Sequence, residues 1–221
     1  MEYRFGGKNC NWFETEDSGR YISPITNFRT FLTPMKGQPV NFLEIGSWEG
    51  RSATWCLDNI LTHDDSHLDC VEMAEGSWFY KNLKHNLSEH IEAGKCDLIT
   101  ATSNTALPAL VQDGKRYDFI YIDGAHDTRS ILEDATLSFL TLKIGGIMSL
   151  DDYGCQQSFD IESHAVAEQE VETGIYNVNG VNLFVPHQGL PKQAIDAFLL
   201  CYRDYIEVIH AKYQVWIRRI R

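Results

Sequence analysis

Between residues 40 and 150 the sequence repeats one pattern: a short apolar run followed by a segment with apolar residues at helical spacing. The runs are nearly continuous in apolar residues, which is typical of strands that are covered on both faces. They lie at Val40–Ile45, Leu68–Met73, Asp97–Ala101, Tyr117–Ile122 and Ile147–Leu150. Strands that alternate with helices in this way predict an α/β fold with a doubly wound, mostly parallel sheet.

The segments between and around these runs predict the helices. Apolar residues recur at three- and four-residue steps in residues 53–61, 76–91 and 131–142, and Gly145-Gly146 is the expected C-cap of the last of these. Further helices are expected in residues 22–35 and 191–204. Two closing strands, at residues 205–210 and 213–219, are separated by so few residues that we expect an antiparallel hairpin.

The charge balance limits the partners of the chain. It has 19 Lys and Arg against 31 Asp and Glu, a formal net charge of -12, so we expect neither nucleic acid nor a membrane as partner. The 6 cysteines are widely spaced and form no zinc-type pair, which favours a reducing compartment. No apolar segment reaches the ~18 residues of a membrane span. The start has no apolar signal region, and we expect a cytoplasmic protein.

Ligands of such sheets bind beyond the carboxyl ends of the strands. At the end of the first run, Gly46 and Gly50 allow a tight turn in which the backbone approaches a ligand, although two glycines also occur in many ordinary strand–helix turns. Their spacing differs from the dinucleotide fingerprint. Glu72 ends the second run, where a carboxylate either accepts the hydroxyls of a ribose or lies in a solvated loop.

Three carboxylates follow the fourth and fifth runs. Asp123, Asp151 and Asp152 are expected at the same edge of the sheet, and their mutual repulsion is relieved by a divalent ion such as Mg²⁺, Mn²⁺ or Ca²⁺. Without an ion, one would cap a helix, one would bind cofactor and one would be solvated. His126 lies three residues after Asp123, where it is either a general base or an ordinary loop histidine.

Three segments carry a family resemblance: residues 44–52 (EIGSWEGRS), 118–126 (DFIYIDGAH) and 145–153 (GGIMSLDDY). Together they resemble class I S-adenosylmethionine-dependent methyltransferases, in particular the methyltransferase 24 type, related to catechol-type and macrolide-sugar O-methyltransferases. The tail, at residues 191–198 and 213–216, is similar to the same group. The resemblance covers roughly residues 40–153 and 190–219.

The resemblance implies a Rossmann-like sheet of seven strands, mostly parallel, with the antiparallel last strand inserted between its neighbours. It also implies S-adenosyl-L-methionine as the cofactor. The turn from Gly46 to Gly50 would hold the methionine part, Glu72 the ribose, and Met73 would pack on the adenine. The complete set of predicted cofactor residues is Glu44, Gly46, Ser47, Gly50, Ser52, Glu72, Met73, Ser103, Asn104 and Asp123.

The metal-dependent members of this group hold Mg²⁺ with a carboxylate after the fourth strand and an acidic pair after the fifth. Asp123, Asp151 and Asp152 match those positions. The macrolide-sugar enzymes place a catalytic histidine three residues after the first of these carboxylates, and His126 matches that spacing.

The implied activity is methyl transfer to a hydroxyl of a small molecule, such as a sugar, a polyketide or a phenol or catechol. We expect the metal to chelate the acceptor and His126 to remove its proton. Two alternatives remain open from the residues. One is a metal-independent N- or O-methyltransferase, in which His126 and the acidic pair steer a nitrogen or a lone hydroxyl. The other is a cofactor-binding scaffold without catalysis.

Two regions depart from the family pattern and set the predicted domain limits. Residues 1–39 are expected to be an N-terminal helical extension, and residues 40–221 a methyltransferase domain. Within that domain, residues 154–190 are expected to be a variable insert that forms a lid or contacts the substrate. Enzymes of this type are often homodimers, but no apolar stripe in the sequence requires a dimer.

Overall fold

The computed structural model describes the backbone of residues 3–5, 8–10, 24–154, 173–178, 181–186 and 191–221, and the side chains of residues 25–154 and 191–221. In chain order its elements are β1 (Tyr3–Phe5), β2 (Lys8–Cys10), α1 (Pro24–Leu32), β3 (Asn41–Ile45), α2 (Arg51–Asn59), β4 (His67–Val71), α3 (Trp78–Glu92), β5 (Cys96–Ile99), α4 (Ser103–Gln112), β6 (Tyr117–Ile122), α5 (Thr128–Thr141), β7 (Leu142–Leu150), β8 (Thr173–Val178), β9 (Val181–Pro186), α6 (Pro191–Tyr202), β10 (Ile206–Ala211) and β11 (Val215–Arg219).

The main sheet has seven strands in the order β10-β11-β7-β6-β3-β4-β5. Neighbours from β7 to β5 pair in parallel, and β11 pairs antiparallel with both β7 and β10. The predicted fold class is therefore confirmed, including the antiparallel last strand between two neighbours. The chain reverses its direction of winding between β3 and β6, which makes the crevice at their carboxyl ends the expected ligand site.

One boundary prediction is wrong. We expected Gly145-Gly146 to end a helix and a strand to begin at Ile147, but α5 ends at Thr141 and β7 begins with the next residue. The reason is that Leu142, which is buried, pairs with Tyr117 at the start of β6. The glycines instead serve the strand: a Cβ on Gly146 would lie 3.1 Å from the backbone oxygen of Asp118 and 2.9 Å from that of Lys143.

The other elements with predicted bounds depart from them only at the ends, whereas no bounds were predicted for α4 or for the strand pairs β1–β2 and β8–β9. The expected helix at residues 22–35 is α1 followed by a short 3-10 helix, Thr33–Met35. The two closing strands form the predicted antiparallel hairpin, with Ala211 opposite Val215. In the predicted insert, β8 and β9 form a separate antiparallel pair. Its remaining residues, 155–172, 179–180 and 187–190, lie outside the described part of the chain.

Helices cover the main sheet on both faces. Side chains from α1, α2 and α3 pack on one face, where Phe42, Phe119 and Trp216 of the sheet are buried. Side chains from α4, α5 and α6 pack on the other face, over Leu43, Ile120 and other aliphatic strand residues. Among the described helices, none has the length and hydropathy needed to span a membrane.

Helix α1 belongs to the predicted N-terminal extension, and its Phe28 reaches the centre of the first core layer. The Phe28 ring has no exposed surface. Its centroid lies 5.0 Å from that of Tyr121, 5.7 Å from that of Phe119 and 5.8 Å from that of Trp216, each in an edge-to-face arrangement. This packing fixes the Tyr121 ring, whose hydroxyl lies at the carboxyl edge of the sheet.

Replacing Phe28 by Ala should lower the free energy of unfolding by about 3–5 kcal/mol, because the surrounding rings cannot collapse into the space left behind. Chemical denaturation followed by circular dichroism measures the change. The neighbouring exposed Arg29 is the control, since R29A should change stability by less than about 0.5 kcal/mol. Equal stability of F28A and R29A would show that α1 is not part of the core.

Candidate active site

The turn between β3 and α2 lies against the end of β6. Gly46 has a φ of 81°, and a Cβ on it would lie 2.2 Å from the backbone oxygen of Asp123. Only glycine permits so close an approach of two backbone segments. Gly50 also has a φ of 81°, and a Cβ there would lie 2.8 Å from Leu83 of α3. The turn therefore joins the predicted cofactor residues to the loop that carries Asp123 and His126.

Glu44, near the end of β3, stabilises this turn. The residue is buried, and its carboxylate accepts hydrogen bonds from the hydroxyls of Ser52 and Ser47, the latter at 2.9 Å. Desolvation raises the pKa of the Glu44 carboxyl to about 7, against the effect of these hydrogen bonds. Ser47 and Ser52, two of the predicted cofactor residues, thus contact a third, Glu44. Gly50 is the N-cap of α2 and offers no side-chain cap to the first N–H groups of the helix.

Glu72 connects the ends of β3 and β4. One carboxylate oxygen accepts the backbone N–H groups of Ser47 at 3.1 Å and Trp48 at 3.0 Å. The other accepts those of Met73 at 2.9 Å and Ala74 at 3.2 Å. Four such bonds occupy the lone pairs of a carboxylate. Glu72 therefore lies at the predicted position at the edge of the sheet, with both oxygens engaged by the backbone.

The predicted adenine-side residues begin at the next strand end. Ser103 and Asn104 form the first turn of α4, directly after β5. Burial raises the carboxyl pKa of Asp134 of α5 to about 6, and the nearby Ser103 opposes this shift. Met73 is one of the most exposed large apolar side chains of the described residues, at 65%. Glu72, Met73, Ser103 and Asn104 thus lie on the adjacent ends of β4 and β5.

Tyr121 brings two of the predicted metal ligands together. Its hydroxyl lies 3.0 Å from Oδ2 of Asp123 and is also hydrogen-bonded to Oδ2 of Asp151. A phenol has only one proton to donate. Burial and the neighbouring carboxylates raise the pKa of Asp123 well above its ordinary value and that of Asp151 to about 6. The two carboxyls repel each other when both are ionised, and a divalent cation beside them would favour their ionised forms.

Asp152 faces His126 on the other side of the cluster. His126 Nε2 lies 2.8 Å from Asp152 Oδ2, and the Tyr213 hydroxyl donates to Asp152 Oδ1 at 2.6 Å. The hydrogen bond to Asp152 raises the pKa of His126, and the same contact lowers the pKa of Asp152 against desolvation. Asp152 has a φ of 58°, a strained conformation for a non-glycine residue that often marks functional sites.

One atom each from Asp123, His126 and Asp152 lies within 4.8 Å of the other two. Asp151 accepts the Asp152 backbone N–H at 2.8 Å on its second oxygen. The structure therefore brings all four predicted residues to one place, but it places His126 beside Asp152 and engages both oxygens of Asp151 within the protein.

A pocket lies between the glycine turn and this cluster, with about 390 Å³ of empty space when the solvent at its mouth is included. Its lining comprises Gly46, Ser47, Glu49, Arg51 and Ser52 around the glycine turn, together with Ile25, Tyr121 and Asp123. Trp48, which also lines it, has a φ of 49° and stacks on Phe79 of α3 with centroids 4.0 Å apart. A second pocket of about 220 Å³ is lined by Asp123, Asp151 and Asp152.

Sequence reasoning missed two site residues, Tyr121 and Tyr213. Tyr121 carried a usable signal, because it precedes Asp123 by two positions on a strand and therefore shares its face. Tyr213 carried none, since its approach to Asp152 depends on the insertion of β11 beside β7.

The sheet order, the glycine turn and the acidic residue after the next strand define a class I S-adenosylmethionine-dependent methyltransferase. A family model described as a methyltransferase domain, Methyltransf_24, matches residues 43–153, which is half of the chain. The chain belongs to this family and is an S-adenosylmethionine-dependent methyltransferase. No curated protein sequence matches it significantly.

Solved structures share the fold at low sequence identity. An O-methyltransferase from Bacillus cereus in complex with SAH is 14% identical, with 90% of this chain and 83% of that chain covered and a TM-score of 0.60. The MycE methyltransferase of the mycinamycin biosynthetic pathway, in complex with Mg and SAH, is 14% identical over 89% of this chain and 49% of that chain, with a TM-score of 0.57. TomG from Streptomyces achromogenes, in complex with SAM, is 17% identical over 82% of this chain and 73% of that chain, with a TM-score of 0.54.

Glu44 should make stability depend on pH in a way that Gln at this position does not. A carboxyl whose folded-state pKa is raised from 4.5 to about 7 destabilises the folded protein progressively as the pH rises between those values. In E44Q this loss should disappear, which shifts the difference in unfolding free energy by up to about 3 kcal/mol in favour of the variant between pH 5 and pH 8.

Urea denaturation at several pH values measures this dependence. Glu133→Gln, which removes a partly exposed glutamate of α5, controls for the general loss of one carboxylate. Parallel stability profiles for E44Q and the wild-type protein would show that Glu44 remains ionised across this range.

Proposed function

We propose that this methyltransferase transfers the methyl group to a hydroxyl of a small molecule, with a divalent metal at the acidic cluster and His126 as the general base. The observation that carries the proposal is the cluster of Asp123, Asp151 and Asp152 beside the pocket behind the glycine turn. One divalent cation at this cluster would both neutralise the carboxylates and activate a hydroxyl of the acceptor.

S-adenosylmethionine supplies an electrophilic methyl group on a sulfonium. The Gly46–Gly50 turn and the uncapped N–H groups of α2 suit its methionine carboxylate, because a helix N-terminus binds anions. Glu72 would accept hydrogen bonds from the ribose hydroxyls, and Met73, Ser103 and Asn104 would contact the adenine. Glu72 can accept these hydroxyls only if it gives up some of its four backbone hydrogen bonds. Cofactor binding should therefore loosen the contact between Glu72 and Ser47–Trp48.

The donor set at the cluster fits a hard divalent cation. Asp123, Asp151 and Asp152 offer carboxylate oxygens, which Mg²⁺, Mn²⁺ and Ca²⁺ prefer. A cation held by these residues would lower the pKa of a hydroxyl bound to it. The buried Tyr121 hydroxyl orients Asp123 and Asp151, and Tyr213 orients Asp152. MycE, whose structure holds Mg and SAH, is a structural neighbour that supports this part of the proposal.

His126 is placed to take the proton of the acceptor. Its side chain is 58% exposed and lies at the open side of the cluster. The imidazole must be neutral to act as a base, whereas the contact with Asp152 favours its protonated form. The proposed role therefore requires that Asp152 be engaged elsewhere when the acceptor is bound, and Tyr213 already holds its other oxygen.

The proposed acceptors are sugars, polyketides, phenols and catechols with vicinal oxygens. Trp48, which lines the first pocket, is 44% exposed, and Trp78, which packs edge-to-face against it, is 55% exposed. Both rings offer apolar surface to such molecules. A structure of MycE with mycinamycin VI and one of TomG, involved in tomaymycin synthesis, support a small-molecule acceptor. The net charge of -12 disfavours a polyanionic one.

The His126–Asp152 pair favours one alternative, a methyltransferase that uses no metal. A carboxylate can orient a neutral imidazole and stabilise the imidazolium that forms when it takes a proton, which supports general base catalysis without a metal at a pH above the raised pKa of His126. In that case the two residues would act on a lone hydroxyl or a nitrogen.

Replacing His126 by Asn should lower kcat by about 10²–10⁴-fold, the range typical of a lost general base. The affinity for S-adenosylhomocysteine should change less than threefold, because His126 is not among the predicted cofactor contacts. Turnover with a panel of catechols and sugars, together with calorimetry of S-adenosylhomocysteine, separates the two effects. His63→Gln, at another partly exposed histidine, is the control. Unchanged turnover in H126N would exclude the base role.

Removal of divalent ions distinguishes the two mechanisms. We expect a chelator to abolish turnover while S-adenosylhomocysteine still binds, and added Mg²⁺ to restore it. Asp151→Asn should reduce this recovery, since one carboxylate charge is lost from the cluster. Full activity in excess chelator would leave the metal-independent alternative as the function of the site.

A further inference from the structure

A second cluster of potential ligands lies at the opposite end of the sheet. His67 is the first residue of β4, and Asp69 follows two positions later on the same face. Asp97 of β5 is directly opposite Asp69 in the parallel pair. Glu72 is three residues further along the chain from Asp69, roughly 10 Å at the rise of a strand. The cluster is therefore separate from the cofactor and acceptor pockets.

The spacing of the three ligand atoms matches a tetrahedral metal site. His67 Nε2 lies 3.3 Å from Asp69 Oδ1 and 3.2 Å from Asp97 Oδ2. All three atoms lie within 4.8 Å of one another. With zinc–ligand bonds of about 2.0–2.1 Å, neighbouring ligand atoms of a tetrahedron are about 3.3–3.4 Å apart. Both histidine–carboxylate distances are close to this value.

Neighbouring groups orient the ligands as they do in metal sites. His67 Nδ1 lies 3.2 Å from the backbone oxygen of Gly94, and a carbonyl can only accept, so Nδ1 carries the hydrogen. The neighbouring Asp69 and Asp97 raise the pKa of His67 and so favour a second proton on Nε2. A metal would displace that proton and bind the Nε2 lone pair, with Nδ1 still held by Gly94. The Tyr117 hydroxyl at 2.6 Å and the Lys115 ammonium at 3.1 Å both donate to Asp69 Oδ2. Asp69 Oδ1 is thereby directed toward Nε2.

The two central atoms lack hydrogen bonds within the described part of the chain. Asp69 is 1% exposed, and both its Oδ1 and His67 Nε2 are buried. Although only 3.3 Å apart, they are not aligned for a hydrogen bond. A buried polar atom left without a partner costs about 1–3 kcal/mol. A cation between them would give a partner to both atoms at once.

We propose that His67, Asp69 and Asp97 bind a divalent transition metal of the zinc type, which ties β4 to β5 at the amino ends of these strands. One imidazole and two carboxylates suit Zn²⁺ or Co²⁺ better than Mg²⁺, which prefers oxygen alone. Asp97 is 66% exposed, so the fourth position faces solvent and takes water. The metal replaces any proton on Nε2 and releases it to solvent. The site is structural, because the pocket for methyl transfer is elsewhere.

Cobalt titration of the full chain tests the proposal. Asp152→Asn serves as the background, because it removes one ligand of the acidic cluster in the active site. After treatment with a chelator, Co²⁺ is added and its visible d–d absorption is recorded, followed by displacement with Zn²⁺. The variants His67→Gln (H67Q) and Asp97→Asn (D97N) are compared with His90→Gln (H90Q). His90 Nε2 forms a similar contact, 3.0 Å from Asp58 Oδ1, but among the described residues His90 forms an ion pair with this one carboxylate only.

We expect one tight site in the D152N background that H90Q leaves unchanged and that H67Q and D97N each weaken by at least about tenfold. Zn²⁺ should also raise the melting temperature of the background protein and of H90Q, but not of D97N, because a ligand stabilises the state that binds it. D97N carries the test even if H67Q fails to fold, since Asp97 is largely exposed.

Absence of Co²⁺ binding in the D152N background would overturn the proposal and leave an ionic network of His67, Lys115 and the two aspartates. Binding that survives both H67Q and D97N would place the metal elsewhere and would equally overturn it. Neither result depends on turnover, so the test is independent of the function proposed for the active site.

Discussion

The backbone contact between Gly46 and Asp123 determines the geometry of the active site. It brings the turn after β3 and the loop after β6 so close together that no side chain fits between them. The two segments belong to adjacent strands at the point where the winding of the sheet reverses. The cofactor turn and the acidic loop are therefore one rigid unit, and the distance between methyl donor and acceptor depends on it.

Most of the fold could be predicted because parallel strands buried on both faces leave a simple pattern in the sequence. The alternation of apolar runs and helical stripes was sufficient for the order of the elements. The junction of α5 and β7 could not be found in this way. Gly145-Gly146 is a common helix stop, but here the pairing of Leu142 with Tyr117 starts the strand earlier. Tertiary pairing prevailed over a local signal.

The site was predictable to the extent that it follows strand ends. Asp123, Asp151 and Asp152 could be grouped because parallel strands end at the same edge. Their hydrogen-bond partners were harder to find. The contact between Asp152 and Tyr213 joins residues far apart in the chain, and the four bonds of Glu72 depend on backbone groups that every residue has. Residue type alone carries no information on such contacts.

Helix α5 and strand β7 follow one another without a connecting loop, and both outer ends of this unit reach the acidic cluster. Asp127, next to His126, caps α5, while Asp151 and Asp152 follow β7. An insertion between Thr141 and Leu142 would have to push either end out of the cluster. The turn at Gly114 has open space around it. Circular permutation or domain fusion is therefore better placed at this glycine turn, whereas the α5–β7 junction should resist any change in chain length.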